Sequence, residues 1–516
     1  MSNKRFIKGA FVLAVAGLIA KFLGIFFKIP LQRLIHDEGM GLFGLPYPIY
    51  TIMLSISIIG LPAAISKLIS EKIAIGDYSG VKKVFRISFF MIIAIGIFSS
   101  CFLYFGAHRI IKLLDWPPET YYAIIGLAFA PFFVSIMSAF RGYFQGMQIM
   151  MPTALSQIVE QMGRVVIGVG LAYMYIDKGV GYAAGAATFG ATAGALLGAL
   201  LLLGYYLFTR KSFPDYTAYR RNKGKESTSK IVKRLIWLAI PITIGAILSS
   251  VMGLMDSIIV PARLLQSGYS QEGATILYGR LTGKAVTLIN VPLTFSMAMA
   301  ASLVPAISEA NSRNNMLELR EKAKTGIKLT MIIAFPATLG LFLLASPIIH
   351  LLWGETEAGG DILKVLAVNV LFISLAQTLT SILQGMNRVF VPVRNLLIGV
   401  IVKIIVSYFL LVSHLNIIGA VTGSICGYGV VMILNYIEIE RTVGLRLSIR
   451  ETVLKPIVAS GTMAIGVILV FNYTYLQLQK EAIATLLAIT SGIVFYSIMA
   501  LLIYDFQFHK KNFFFK

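Results

Sequence analysis

QGMQIMMPTALSQIVEQMGRVV occupies residues 145–166 and QGMNRVFVPVRNLLIGVIVKII occupies residues 384–405, starting 239 residues apart. At nearly that separation AAISK (63–67) matches PAISE (305–309), each followed by a charged stretch and then MIIA (91–94 and 331–334). GYAAGAA (181–187) likewise matches GAVTGSI (419–425). Several matches in one order at one spacing mean that a related half occurs twice. Both copies lie in apolar sequence, and duplicated membrane halves characterise transporters that hold substrate between repeats.

The composition supports a membrane chain. Its 516 residues are only 13% charged, and the mean hydropathy is +0.81. Apolar runs of about 20 residues, enough to cross roughly 30 Å of hydrocarbon, recur throughout. They predict fourteen helices, at 8–32, 43–67, 84–107, 121–145, 152–176, 180–208, 233–260, 275–306, 327–350, 361–384, 392–413, 417–437, 452–472 and 482–504. An even number places both termini on one side. With the N-terminus cytoplasmic, about 32 of the 45 Lys and Arg fall on that side, as expected of a multi-pass protein of the bacterial cytoplasmic membrane. The net charge of +22 thus follows topology, which excludes a nucleic-acid reading.

The expected fold is an all-α polytopic membrane protein of two six-helix lobes, 1–208 and 231–437. A basic linker at 209–230 joins them, and residues 438–516 add two helices and a tail. Lys4, Arg5 and Lys8 before an apolar run imitate a signal peptide, but Lys21 and Lys28 interrupt that run and the first repeat needs the helix, so we expect it to be retained. Pro62, Pro131, Pro241, Pro261, Pro292, Pro305 and Pro336 fall within spans as hinges or static kinks. Gly190, Gly194 and Gly198 form a close-packing stripe.

A cation at mid-bilayer costs about 2.5–3.5 kcal/mol on insertion scales, so it needs a partner or an aqueous cavity. Lys21, Lys28, Arg164, Arg280, Lys284 and Lys403 are the candidates. Lys21 and Lys28 share a face with Ala10, Ala14, Gly17 and Gly24, whose small side chains leave the ammonium groups accessible. Arg280 and Lys284 are one turn apart. These four read as an anion-binding basin, with snorkelling to the headgroups as the bland alternative for Lys28 and Arg280. Glu160 and Arg164, four residues apart, read as an ion pair or as a vestibule wall, with Lys403 as the repeat counterpart of Arg164. Asp256 is a further acid inside a span, a counter-charge or an ion-coupling residue. Asp37, Glu38, Asp115, Glu119, Glu355, Glu357 and Asp361 read as solvated loop caps.

Cys101 and Cys426 lie in spans and imply no disulfide framework, and the five histidines have no metal spacing. The chain carries no phosphate-binding loop, no nucleophile elbow and no ATPase domain. It therefore reads as a non-enzyme without cofactor, driven by a monovalent cation gradient, the membrane potential or the substrate's own gradient.

The blocks GLPAAISKLISE (60–71), RGYFQGMQIMMPTALSQIVEQMGR (141–164) and LVPAISEA (303–310) resemble the polysaccharide-transport branch of the multidrug/oligosaccharidyl-lipid/polysaccharide (MOP) flippase superfamily. Within it the chain is similar to the stage V sporulation protein B group, relatives of the lipid II flippases. The resemblance covers essentially the whole chain. It implies a V-shaped, MATE-like and MurJ-like fold that flips an undecaprenyl-pyrophosphate-linked glycan precursor outward by alternating access, for peptidoglycan or spore cortex. It also implies cavity cations at Lys21, Lys28 and Arg280, and a groove for the polyprenyl tail along the two extra helices. Two departures are visible: residues 44–66 hold no charge where the lipid II flippases carry an arginine, and Gly283 stands where they carry an acid.

Competing readings are a cation-coupled multidrug exporter, a flippase for another lipid-linked polysaccharide, a polyprenyl-dependent glycosyltransferase and a non-transporting scaffold. The first needs cavity carboxylates, the third a catalytic acid or base in a sizeable outer loop, and the last would tolerate loss of the buried cations.

Overall fold

The structure is a computed structural model that describes residues 3–58, 60–209, 226–354 and 358–504. Most of the linker, with Arg220, Arg221, Lys223 and Lys225, and the loop acids Glu355 and Glu357 lie outside the described residues.

Each of the fourteen expected spans is helical among the described residues. We number them α1 (Asn3–Gly44), α2 (Tyr47–Ala74), α3 (Tyr78–Leu114), α4 (Thr120–Gly146), α5 (Met151–Tyr175), α6 (Val180–Thr209), α7 (Thr228–Gln266) and α8 (Gln271–Ser312). They continue as α9 (Met316–Leu343, extended by Ala345–Trp353), α10 (Gly360–Gly385), α11 (Phe390–Leu410), α12 (Ile417–Val443), α13 (Arg450–Leu478) and α14 (Glu481–Tyr504). Among the described residues twelve of these are long and apolar enough to cross a membrane by composition alone. α5 is set apart by its polar face, and α5 and α7, at 25 and 39 residues, reach about 38 and 58 Å.

Local breaks follow their residues. α1 turns at His36, whose φ of 55° and ψ of −170° leave the helical region. α4 restarts at Ala130–Gly146 with Pro131 in its first turn, where a missing N–H costs nothing. α8 contains a π-helical turn over Arg280–Ala285, which loosens the hydrogen-bond ladder beside the buried cations.

The described chain forms two compact units, Met1–Gly283 and Lys284–Lys516. The first gathers α7 and the opening of α8 onto α1–α3. Ile231, Leu235 and Ala239 of α7 pack with Leu61, Ile65 and Ile69 of α2, and Trp116 Nε1 donates to the Ser257 carbonyl at 2.9 Å. In the second unit Leu344, Met463, Val467 and Ala488 tie α13 and α14 to α9, with Tyr496 OH donating to the Ile332 carbonyl at 2.5 Å.

Glycine against backbone is the repeated junction. A Cβ at Gly190 would lie 2.7 Å from the Arg164 carbonyl oxygen, and one at Gly194 would overlap the Glu160 carbonyl. In the second unit, Cβ atoms at Gly423 and Gly427 would lie 3.0 and 2.8 Å from the carbonyl oxygens of Lys403 and Gly399. Packing therefore makes Glu160 equivalent to Gly399 and Arg164 to Lys403, 239 residues apart. It makes Gly190 and Gly194 equivalent to Gly423 and Gly427, 233 apart, correcting the match of 181–187 to 419–425. Gly146 meets Ile69 and the Ser66 carbonyl as Gly385 meets Ile307 and the Val304 carbonyl. The equivalent triplets are thus ISE at 69–71 and 307–309, in place of AAISK and PAISE.

On the linker side, Glu226 receives Lys72 at 2.9 Å and Arg234 at 3.4 Å, while Lys83 donates to its carbonyl at 2.6 Å. The Lys72 ammonium beside it holds the Glu226 carboxyl below the usual carboxylate range. A depressed folded-state pKa stabilises above the unfolded value near 4.3 and is lost as pH falls through the folded value. Glu226→Gln should cost about 0.5–1 kcal/mol at pH 7. In thermal unfolding in detergent, its difference from wild type should shrink below about pH 4. Gly194→Val and Gly427→Val should each cost about 1–3 kcal/mol in the same assay, whereas Gly204→Ala, with open space around it, should be neutral.

Candidate functional site

Charge inside the apolar helices concentrates at two places in the first unit. The one farther from the linker is built by α1 and the π-helical turn of α8. Their backbones touch: Gly41 faces Thr275, Gly44 faces Thr282, and Cβ atoms at Gly279 and Gly283 would strike the Asp37 carbonyl and the Gln32 side chain. This closeness lets Lys28 Nζ donate to the Thr282 carbonyl at 3.1 Å. Asp37, brought round by the turn at His36, accepts from Gln32 Nε2 at 2.6 Å and from Arg280 Nε at 2.9 Å.

Asp37 is 7% exposed. The expectation of a solvated cap is therefore wrong for this acid: an arginine 243 residues away in sequence draws it inward. Arg280 is thereby neutralised. Gly283 has no room for a side chain against Gln32, and the acid that meets Arg280 comes from α1. Lys28 faces a neutral carbonyl, and among the described residues no carboxylate pairs with it.

Of the four cations expected to form one basin, Lys21, Lys28 and Arg280 belong to the first unit and Lys284 to the second. Lys21 lies two turns before Lys28, about 10 Å along α1, and is exposed. The small residues beside it admit glutamines rather than open space: Gly17 and Gly24 face Gln157 and Gln161 of α5, and Gln161 Nε2 donates to the Ala20 carbonyl at 3.2 Å. Lys284 is fully buried in the second unit, donating to the Ala358 carbonyl at 3.3 Å.

The second concentration lies nearer the linker. Glu160 is held by two arginines, Arg164 Nη2 at 3.4 Å and Arg141 Nη2 at 3.0 Å. Arg141 Nε also donates to Ser156 Oγ, and Arg164 Nη1 to Tyr47 OH. Sequence reading paired Glu160 with Arg164 alone. It missed Arg141, which stands 19 positions away on another helix and carries no local signal. Lys403 is 2% exposed. Gly399 stands at the position equivalent to Glu160, packs on the Gly427 carbonyl and leaves no space for a side chain. Asp256 sits half-buried in α7, next to the Ser257 carbonyl that Trp116 holds. Among the described residues no group of three or more His, Cys, Asp and Glu could hold a metal ion.

Comparison with known proteins agrees with this architecture. The family described as polysaccharide biosynthesis protein matches residues 6–311, and the MatE family matches residues 282–409. The uncharacterized membrane protein YabM of Bacillus subtilis (strain 168) is 30% identical over 470 residues, 90% of this chain and 85% of the relative. Stage V sporulation protein B of the same organism is 27% identical, covering 87% and 86%. Its lipid II flippase MurJ is 27% identical, covering 96% and 95%. Among solved structures, an inward-facing multidrug resistance MATE family transporter of the MOP superfamily superposes with a TM-score of 0.70 at 15% identity, covering 84% of this chain and 98% of that one. Lipid II flippase MurJ in an inward closed conformation gives 0.67 at 17% identity, covering 96% and 99%. The fold is that of these transporters, and the chain is a multi-pass membrane protein.

Breaking the Asp37–Arg280 pair removes the guanidinium that draws this carboxylate inward. Arg280→Ala should cost about 2–4 kcal/mol. Adding Asp37→Asn should recover part of that loss, a coupling of about 1–3 kcal/mol measured as a double-mutant cycle of thermal unfolding in detergent.

Proposed function

The chain belongs to the polysaccharide biosynthesis protein family of the MOP flippase superfamily, and from that membership we propose that it flips a polyprenyl-pyrophosphate-linked glycan precursor from the inner to the outer leaflet. The cargo we assign is an undecaprenyl-linked peptidoglycan precursor, lipid II or its spore-cortex equivalent. Support comes from the names its relatives carry, lipid II flippase and stage V sporulation protein B. The observation that carries the reading is Lys28, an ammonium inside an apolar helix whose bond goes to a neutral carbonyl on α8. An uncompensated cation at that depth is costly, and a pyrophosphate of about two negative charges would offset the cost.

In this reading Lys21 and Lys28 bind the pyrophosphate. Arg280 and Lys284 join when α8 moves and their present partners, Asp37 and Ala358, release them. The helices work as two six-helix repeats, 1–208 and 231–437, by alternating access, with both termini cytoplasmic and α13 and α14 guiding the polyprenyl tail. Moving an anion outward is favoured by about 2.3 kcal/mol per charge per 100 mV of interior-negative potential. Asp256 serves as counter-charge or coupling residue. A cation-coupled drug exporter would need accessible carboxylates, yet Asp37 and Glu160 are held by arginines.

The test is complementation. Cells depleted of their own lipid II flippase express wild type, Lys21→Ala or Lys28→Ala, and surface lipid II is measured directly. Wild type should rescue, and the two variants, inserted at equal levels, should fall at least tenfold short, the scale of losing one charge-assisted contact. Rescue by all three overturns the role of the lysines. Failure of inserted wild type overturns the cargo.

A further inference from the structure

The Arg141–Glu160–Arg164 cluster asks for an explanation that ion pairing does not supply. Two guanidinium groups share one carboxylate, so the cluster keeps one positive charge inside the apolar helices. Its side chains are 12–16% exposed. Arg164 Nε has no acceptor and Tyr50 OH has no partner among the described residues. The two are neighbours, because Tyr47 accepts from Arg164 and its ring packs on Tyr50 with centroids 5.5 Å apart. Buried donors without acceptors are expensive, and here they flank an uncompensated charge.

The second unit serves as an internal control. At the same repeat spacing the counterparts of Arg141, Ser156 and Glu160 are Thr380, Asn395 and Gly399. There Asn395 donates to Asn435 at 2.8 Å and Asn435 donates to Thr380 at 3.1 Å. The second unit thus closes the same helix junction with neutral groups in place of Arg141 and Glu160, while Lys403 keeps a buried cation at the position of Arg164. The Arg141–Glu160 pair is therefore not a packing requirement of this junction.

Position supplies the rest. Gln161, adjacent to Glu160 and one turn before Arg164, is bonded to the Ala20 carbonyl, which sets this turn of α5 beside Lys21. From the linker side outward the first unit therefore presents Arg141, then Arg164 with Lys21, then Lys28.

We propose that Arg141 and Arg164, held by Glu160, form a second pyrophosphate-binding station nearer the linker, which takes the headgroup before Lys21 and Lys28 do. This rests on the flippase reading above and adds an entry step to it. Arg164 Nε–H and Tyr50 O–H are the donors that meet phosphate oxygens. Glu160 is a positioning residue: it aims both guanidinium groups and lowers the net charge, so that the anion is released onward. Binding that is too tight would stall transfer.

The test uses the full-length protein in nanodiscs, with farnesyl pyrophosphate as probe and binding read by titration calorimetry. Arg141→Gln and Arg164→Gln should each weaken binding about tenfold, the loss of one charge-assisted contact. Glu160→Gln should bind several-fold tighter while unfolding at lower temperature, opposite changes that a merely structural role does not produce. Arg164→Lys keeps the charge without Nε and should lose affinity while remaining folded, which covers a failure of Arg164→Gln to fold. Farnesol should not compete, and competition by it equal to that of farnesyl pyrophosphate overturns the proposal. Inorganic pyrophosphate binding as tightly as farnesyl pyrophosphate supports the station but overturns a lipid as its source. If all the arginine variants bind as wild type while Lys28→Ala loses binding, the station is overturned and the flippase reading stands. If wild type binds no pyrophosphate probe, both are overturned.

Discussion

A backbone carbonyl pressed against a glycine is the contact on which both units depend. In hydrocarbon, burying apolar side chains against one another gains little over burying them in lipid, so helices associate by close packing. Gly190 and Gly194 bring α6 onto α5, and Gly423 and Gly427 bring α12 onto α11, in the same geometry. Gly146 and Gly385 repeat the device against the two ISE turns. Because these contacts are between backbones, they hold the helix pairs while the facing side chains diverge.

That divergence is where the two halves part in chemistry. At equivalent places the first unit carries Arg141, Ser156 and Glu160, and the second carries Thr380, Asn395 and Gly399. The first solves the burial of polar groups with charge, leaving a surplus of positive potential. The second keeps the buried Lys403 but replaces Arg141 and Glu160 with amides and hydroxyls, and elsewhere pairs Ser296 with Ser374 and Thr330 with Thr378, both at 2.8 Å. A neutral network rigidifies. A charged one with a surplus invites an anion.

The junction of α1 and α8 joins these themes. Glycines allow backbone approach, approach lets Lys28 reach a carbonyl of the π-helical turn, and the turn at His36 swings Asp37 onto Arg280. Each bond there is one that movement of α8 away from α1 must break. The contact is thus both what holds the two helices together here and what any rearrangement has to exchange for other partners.

Hydropathy and periodicity were enough to read fourteen helices, the duplication and the six intramembrane cations, since helices in lipid satisfy their own backbone and leave a local signature. The equivalence of Arg164 and Lys403 was likewise legible, because one spacing governs one helix pair. Tertiary structure alone decided the partners. Asp37 and Arg280 are 243 residues apart, Arg141 and Glu160 are 19, and the glycines beside Lys21 admit glutamines from α5. No local pattern encodes such meetings. A charge inside a membrane helix announces by itself that something must neutralise it, but which group does so depends on which helix faces lie together, and that is set by packing.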